Sequence, residues 1–200
     1  MKSVEFELLD FDTTLFGFKV AKIIPSVLSA NALNKTLGAL NKEGVKLVYW
    51  STDADDVETQ EAAVKAKGML VDRKVTYVVS LSTLDDDLLN EARGKVEDYP
   101  YPEVNNEMKH LAEQVGALSR FGVDPHMPAT LMKKMYHAWI SNSIAGKLET
   151  HVYVILHGSQ IAGMVTLGQK NNRGDIGLIA VSEKLKARVI SVGNLTVGGT

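Results

Sequence analysis

The sequence predicts an α/β protein built from two consecutive parts. Short segments that alternate apolar and polar residues, the period of a half-buried strand, lie between longer segments with apolar residues at helical spacing. A polar stretch that contains two prolines, residues 83–104, divides the chain. Before it, strands and helices alternate, and after it come two helices and then three strands. We therefore expect an N-terminal α/β domain at residues 1–82, a linker at residues 83–104, and a second domain at residues 105–186.

The first part opens with two predicted strands. Residues 4–9 alternate apolar residues with glutamates, and residues 18–24 form a second strand that ends at a proline. Residues 10–17 between these strands are predicted to form a turn, in which Asp12 or one of the two threonines after it caps backbone N–H groups.

Two helices and two more strands complete the first part. Ser29 is a helix N-cap residue by type and position, and Gly44 is expected to end that helix. A compact strand follows at residues 45–50, then a helix rich in Ala and Glu at residues 55–67. Residues 69–81, which are rich in β-branched residues, are predicted to form one long strand.

The second part is predicted to contain two helices and three strands. Asn105 or Asn106 can cap the first helix, whose apolar face runs from Met108 to Leu118. The last strand follows a polar turn and is predicted to be short and buried. The predicted bounds are a helix at residues 105–118, a loop at 119–128, a helix at 129–144, a hairpin of strands at 151–157 and 161–167, and a strand at 176–181.

Composition and charge exclude several classes of function. The chain has 200 residues, a formal net charge of -2 and no cysteine. There is no basic surplus to drive binding to nucleic acid or to an anionic membrane, and there is no thiolate for catalysis, disulfides or metal binding. The start lacks the apolar core of a signal peptide, and the acidic run at residues 85–87 is expected to be a solvated face rather than a metal site. We expect a cytoplasmic protein without metal, membrane or nucleic-acid partners.

Several stretches of the chain together resemble one enzyme family. The chain is similar to acetyl-CoA-dependent N-acetyltransferases of the GNAT superfamily and, within it, to the TDP-fucosamine acetyltransferase group. The stretches that carry the resemblance are residues 10–18, 118–121 with Asp124 and Pro125, 136–143, 158–167 and 176–181. The resemblance implies a GNAT-like mixed sheet flanked by helices, with a small N-terminal α/β unit. It also implies transfer of an acetyl group from acetyl-CoA to the amine of a nucleotide-linked amino sugar.

The resemblance assigns the cofactor to the last predicted strand. The pantetheine arm would pair with free backbone groups at Leu178, Ile179, Ala180 and Val181, as an added strand does, and Lys186 is the last residue that follows the family pattern. A backbone amide of the same strand would stabilise the oxyanion. Apolar side chains here are also what a central core strand requires, and both interpretations can hold because only the backbone is used.

Three residues are candidates for binding the acceptor. The guanidinium of Arg120 can grip a diphosphate with two hydrogen bonds, or it can pair with Asp124 on the surface. His126 is either an acid, base or phosphate contact, or a solvated loop residue. Phe16 either lines the sugar or base pocket or packs in the core. The catalytic residues stay unassigned, since a carboxylate, a histidine or an ordered water can deprotonate the amine.

Other residues of chemical interest are expected to be structural. We do not expect catalytic work from His110, His137 and His151, which lie on or beside regular elements. Tyr136 and Trp139 have the spacing of core residues on a helix.

The resemblance stops after Lys186. The family continues with a Gly-rich pyrophosphate turn and further elements, whereas residues 187–200 follow another pattern, and one restored base permits a family-like turn in the shifted frame. We therefore expect a non-family tail at residues 187–200, missing C-terminal GNAT elements and impaired activity. The alternative is a non-catalytic GNAT remnant that acts as a binding or interaction protein. An uncovered edge on the last strand would also favour a homo-oligomer.

Overall fold

The computed structural model describes residues 6–83, 87, 90, 95–148 and 151–184. Within these residues the chain is a mixed α/β protein with two sheets and six α-helices, which confirms the predicted α/β class. The chain divides into two compact units, Met1–Lys74 and Val75–Thr200, called unit 1 and unit 2 below.

Unit 1 contains a three-stranded sheet in the order β1-β2-β3. The strands are β1 (Phe6–Leu8), β2 (Val20–Ile23) and β3 (Leu47–Tyr49). β2 is central, antiparallel to β1 and parallel to β3. Val20 and Ile23 of β2 are fully or almost fully buried. All three strands lie inside predicted strands.

Three helices accompany this sheet: α1 (Asp10–Phe16), α2 (Ala30–Lys42) and α3 (Val57–Lys65). The predicted cap at Ser29 is confirmed, since its hydroxyl accepts a hydrogen bond from the Ala32 N–H at 3.3 Å. The prediction of a turn at residues 10–17 is wrong. Aspartates in the first turn suit the positive end of a helix, and Gly17 ends α1 in the left-handed conformation, at φ 78°.

The long strand predicted at residues 69–81 is also wrong. Residues 69–80 have no regular structure, and a short 3-10 helix follows at Leu81–Thr83. All side chains of this segment except that of Val71 are exposed, with Tyr77 at 91%. β-branched residues favour a strand only where a neighbouring strand supplies hydrogen bonds, and none of the described strand pairs includes this segment.

Unit 2 contains a four-stranded sheet in the order β4-β5-β6-β7. The strands are β4 (Glu97–Asp98), β5 (His151–His157), β6 (Gln160–Lys170) and β7 (Arg173–Val181). β4 lies in the predicted linker. Every described pairing in this sheet is antiparallel, so the mixed sheet that the resemblance implies is not seen among these strands. Short turns that join β5 to β6 and β6 to β7 permit this arrangement.

The helices of unit 2 are α4 (Asn106–Ala117), α5 (Arg120–Val123) and α6 (Ala129–Ile144). The two long helices confirm their predictions. α5 lies in the segment predicted to be a loop, and it forms because the Ser119 hydroxyl accepts the N–H of a residue in its first turn at 3.2 Å. Leu118 was expected on the apolar face of α4, but it lies after the helix ends and is 87% exposed.

α4 packs on α6 and on strands β6 and β7. Its buried residues are Met108, Leu111, Ala112 and Gly116. Gly116 permits close approach of α6, because a Cβ at this position would collide with Met132 and Tyr136. α4 therefore positions its polar N-terminal residues beside the end of β7. None of the helices in the described residues has the length and apolar character needed to cross a membrane.

Candidate functional site

Strand β7 contains a β-bulge opposite Thr166. Val165 pairs with Ile179, and Leu167 pairs with Ile176, so three steps along β7 correspond to two steps along β6. β7 therefore has one residue more than its partner in this interval. A bulge of this kind leaves part of the ladder unpaired and bends the strand, and bulges are enriched at sheet edges and beside active sites.

The Thr166 hydroxyl occupies the gap that the bulge opens. Its Oγ1 accepts a hydrogen bond from the Leu178 N–H at 2.7 Å, and Thr166 is only 1% exposed. A Cβ added to Gly177 would lie 2.7 Å from this oxygen, which is closer than a normal contact. The residue pair Thr166 and Gly177 thus fixes where the bulge forms.

The two faces of β7 have different surroundings. Leu178 and Ala180 are buried on the face that carries α4. Ile176 and Ile179 are 58% and 62% exposed. The prediction of a buried strand is therefore wrong for these two isoleucines, which lie three residues apart because the extra residue of the bulge shifts the alternation.

The backbone of β7 presents polar groups on the side away from β6. The N–H groups of Leu178 and Ser182 donate to acceptors on β6, at 2.7 and 2.8 Å. Because backbone groups alternate in direction along a strand, those of Ile179 and Val181 point away from β6. No described strand pairs with this side of β7. We call these groups the outer edge of β7.

A cavity of about 250 Å³ lies in unit 2 at the end of β7. Its walls come from the first turns of α4, from the start of β6 and from the residues that follow β7. Buried Leu111 and Ile161 supply apolar surface. The polar residues that line it are Asn106, Glu107, His110, Gln160, Ser182 and Lys184. We call this cavity the polar pocket.

Tyr99 fixes the chain that leads into the α4 wall of this pocket. Its hydroxyl donates to the Glu103 carbonyl at 2.9 Å and accepts the Asn105 N–H at 3.0 Å. The Asn105 side chain in turn caps α4 by accepting the Met108 N–H at 2.9 Å. Burial raises the pKa of Tyr99, against the opposing effect of the hydrogen bond from the Asn105 N–H.

A second polar cluster joins α4 to α6 away from the pocket. The Glu113 carboxylate binds Lys133 Nζ and His137 Nε2, both at 2.8 Å. The hydrogen bond from Lys133 is the main cause that lowers the pKa of Glu113, and His137 adds to it against the opposing effect of burial. His137 is thus engaged in a contact between helices, as expected for a structural histidine.

The predicted acceptor-binding residues lie on different elements. Phe16 is 7% exposed at the end of α1 in unit 1, where its ring is 5.7 Å from that of Phe18. In unit 2, the Arg120 guanidinium lies 4.5 Å from the ring centroid of Phe121, which also contacts Tyr136 and Trp139. The two helical aromatic residues therefore pack as expected.

The remaining predicted site residues have less defined surroundings. His126 is exposed in the loop after α5, where Asp124 accepts its backbone N–H at 2.8 Å and lies 3.3 Å from ring Nδ1. Leu178, Ile179, Ala180 and Val181 all lie on β7. Lys186 and the predicted tail at residues 187–200 lie outside the described residues.

Sequence reasoning missed the polar pocket. His110 was not expected to take part in chemistry, and Glu107 was not singled out. A signal was present, since these residues are three apart on a helix and therefore share one face. That they line one pocket together with Lys184 depends on tertiary packing.

Comparison with known proteins adds no assignment. Neither the comparison with protein-family models nor the search of curated proteins returns a match to this chain. Within the described residues, no group of three or more His, Asp and Glu side chains is arranged to hold a metal ion.

Proposed function

We propose that the chain is a GNAT-type N-acetyltransferase that uses acetyl-CoA to acetylate the amine of a nucleotide-linked amino sugar. The observation that carries the proposal is the outer edge of β7, whose backbone groups lie next to a bulge in the stretch that resembles the family's cofactor strand. An extended pantetheine arm contains amides that can pair with such an edge. The cytoplasmic location expected from the sequence suits this role.

The hydrogen bonds of β7 indicate which of its backbone groups are available to bind the cofactor. The Leu178 N–H is already engaged by Thr166, so it is not available to a ligand. The N–H and C=O groups of Ile179 and Val181 point away from β6 and suit the pantetheine amides and the thioester carbonyl. An amide N–H in this position can stabilise the oxyanion that develops during acyl transfer. The side chains of these residues contribute shape only.

The acceptor residues and the assembly are part of the same proposal. Arg120 and His126 of unit 2 are candidates for the diphosphate. The burial of Phe16 in unit 1 favours its alternative role in the core of that unit over contact with the sugar or base. Lys186 is proposed to contact the cofactor phosphates. The exposed side chains of Ile176 and Ile179 favour association of two chains, because exposed apolar surface tends to be covered by a partner, whereas the outer edge of β7 is left to the cofactor.

The test is acetyl-CoA binding by titration calorimetry, followed by detection of released CoA thiol with an amino-sugar nucleotide. The chain has no cysteine, so a thiol reagent gives no background from the protein. Ile179→Pro removes an outward N–H without removing a donor to β6, and we expect at least a tenfold weaker acetyl-CoA affinity, equivalent to about 1.4 kcal/mol. Ile179→Thr is the matched control, and we expect an affinity within about twofold of the unsubstituted chain, since a surface change of this kind is nearly neutral.

Three outcomes separate the alternatives. Equal loss in both variants, or no loss in Ile179→Pro, contradicts use of the outer edge. Binding of acetyl-CoA without thiol release from any amine favours a non-catalytic binding protein. Release with a peptide N-terminus but not with amino-sugar nucleotides contradicts the substrate class while leaving acetyl transfer in place.

A further inference from the structure

The backbone of residues 69–79 has no hydrogen-bond partner among the described residues. This segment follows α3 and precedes the short 3-10 helix at Leu81–Thr83. None of its N–H or C=O groups forms a hydrogen bond with another described residue. In folded proteins such groups are normally paired within helices, sheets or turns. The segment therefore presents an accessible backbone along its whole length.

The side chains of the segment are accessible too. All of them except that of Val71 are exposed. Arg73 and Lys74 lie near the middle, and neither forms an ion pair with another described residue. Most of the flanking residues are β-branched or aromatic, which favours an extended conformation once a partner strand supplies hydrogen bonds. The segment thus combines an accessible backbone, a basic pair and a preference for extended structure.

An endoprotease recognises a substrate by these same properties. The substrate lies extended in the cleft, its backbone adds to an edge strand of the enzyme, and a pocket selects one side chain. A pocket that contains an aspartate selects arginine or lysine. Backbone groups in a helix or sheet become available only after local opening, which costs free energy, whereas residues 69–79 need no such opening.

We propose that residues 69–79 bind in the cleft of an endoprotease that selects basic residues and are cleaved after Arg73 or Lys74. One water molecule is consumed: the C–N bond breaks, the hydroxyl of the water joins the carbonyl carbon, and its other hydrogen passes to the nitrogen. The division into unit 1 and unit 2 falls in the same segment, between Lys74 and Val75. Cleavage therefore leaves β1, β2 and β3 in one product and β7 with its outer edge in the other. The proposal is independent of acetyl transfer.

Limited proteolysis of the full chain with trypsin tests the proposal, with cleavage at each bond followed by mass spectrometry. Lys35 and Lys134 are matched controls, one in each unit, because their side chains are exposed but their backbone lies within α2 and α6. We expect cleavage after Arg73 or Lys74 to be at least about 100-fold faster than after either control, since the helices must open first. A smaller difference overturns the proposal.

A second protease separates the accessibility of the backbone from the choice of basic residues. Chymotrypsin selects large apolar side chains through a hydrophobic slot, so it reports on the bond after Tyr77. Tyr153 is the matched control, because its backbone is paired in β5. We expect cleavage after Tyr77 to be at least about 100-fold faster than after Tyr153. Resistance of the Tyr77 bond would mean that the backbone of the segment is protected, and it would overturn the proposal even if trypsin cuts nearby.

Discussion

Strands β2 and β7 each give a backbone N–H to a threonine hydroxyl, but the consequences differ. In unit 1, Thr13 Oγ1 accepts the Val20 N–H at 3.0 Å, where β2 begins. In unit 2, Thr166 Oγ1 accepts the Leu178 N–H at 2.7 Å, within the paired part of β7. The first bond caps a central strand, whereas the second replaces a ladder bond and accompanies a bulge.

The difference shows how one side chain can turn a structural strand into a candidate binding strand. β2 is paired on both sides, and Val20, Ala21 and Ile23 are buried. β7 is paired on one side within the described residues, and its bulge places Ile176 and Ile179 on the exposed face. Both strands contain several apolar residues, and they differ in the position of the threonine and in the number of strand partners.

Among the substitutions that test this comparison, Gly177→Val is expected to have the largest effect on stability. The new Cβ would lie 2.7 Å from Thr166 Oγ1, so the bulge must shift or the hydroxyl must leave its donor. We expect a loss of about 2–3 kcal/mol in the free energy of unfolding of unit 2, in the upper range of overpacking. The measurement is chemical denaturation followed by Trp139 fluorescence in a Trp50→Phe background, since the chain has two tryptophans, one in each unit.

Gly174→Val is the matched control for this change. Gly174 lies on the same strand, has no atom within 4 Å of an added Cβ, and does not have a positive φ. We expect a change within about 0.5 kcal/mol. Equal effects of the two substitutions would show that strand glycines, rather than the Thr166 contact, determine stability here.

A smaller effect is expected from removing the hydroxyls themselves. Thr166→Val keeps the shape of the side chain but leaves the Leu178 N–H without its acceptor in a buried place, at a cost of about 1–2 kcal/mol to unit 2. Thr13→Val makes the same change in unit 1, where the bond is only partly buried, and we expect about half that cost or less. The unfolding of unit 1 is measured by the fluorescence of Trp50, and the unfolding of unit 2 by that of Trp139. A larger cost for Thr13→Val would contradict the greater importance of the bond in β7.

Local signals in the sequence predicted most regular elements but not the irregular ones. The cap residues Ser29 and Asn105 each act on a neighbour three residues away, so their helices could be predicted. α6 has the bounds that its apolar spacing predicts. The helix at residues 10–16 was missed because its Asp and Thr residues are equally typical of turns.

The candidate site depends on contacts that no local pattern contains. The bulge requires Thr166 to meet Leu178 twelve residues later, after the chain has turned. The polar pocket brings together α4, the start of β6 and the end of β7. The family resemblance directed attention to residues 178–181, whereas Glu107, His110 and Lys184 line one pocket only through packing.

The smallest effect on stability is expected from a change in α4, which packs against the buried face of β7, rather than from a change in β7 itself. The pKa of Glu113 is lowered mainly by Lys133 and then by His137, so this carboxylate stabilises unit 2 above its unfolded-state pKa of about 4.3. That contribution is lost as the pH falls through the lower folded-state pKa. We therefore expect Glu113→Gln to cost less than about 1 kcal/mol at pH 7, and the difference from the unsubstituted chain to shrink below about pH 4.

This last change also separates the two units. Only the transition reported by Trp139 should respond to Glu113→Gln, because Glu113, Lys133 and His137 all belong to unit 2. At each pH, the transition reported by Trp50 should have the same midpoint in the variant as in the unsubstituted chain. In unit 1, hydrogen bonds from the hydroxyl and the N–H of Thr59 lower the pKa of Asp56, so acid weakens that unit through the cap of α3. A coupled shift of both transitions would mean that the units unfold together, and β2 and β7 would then belong to one cooperative structure.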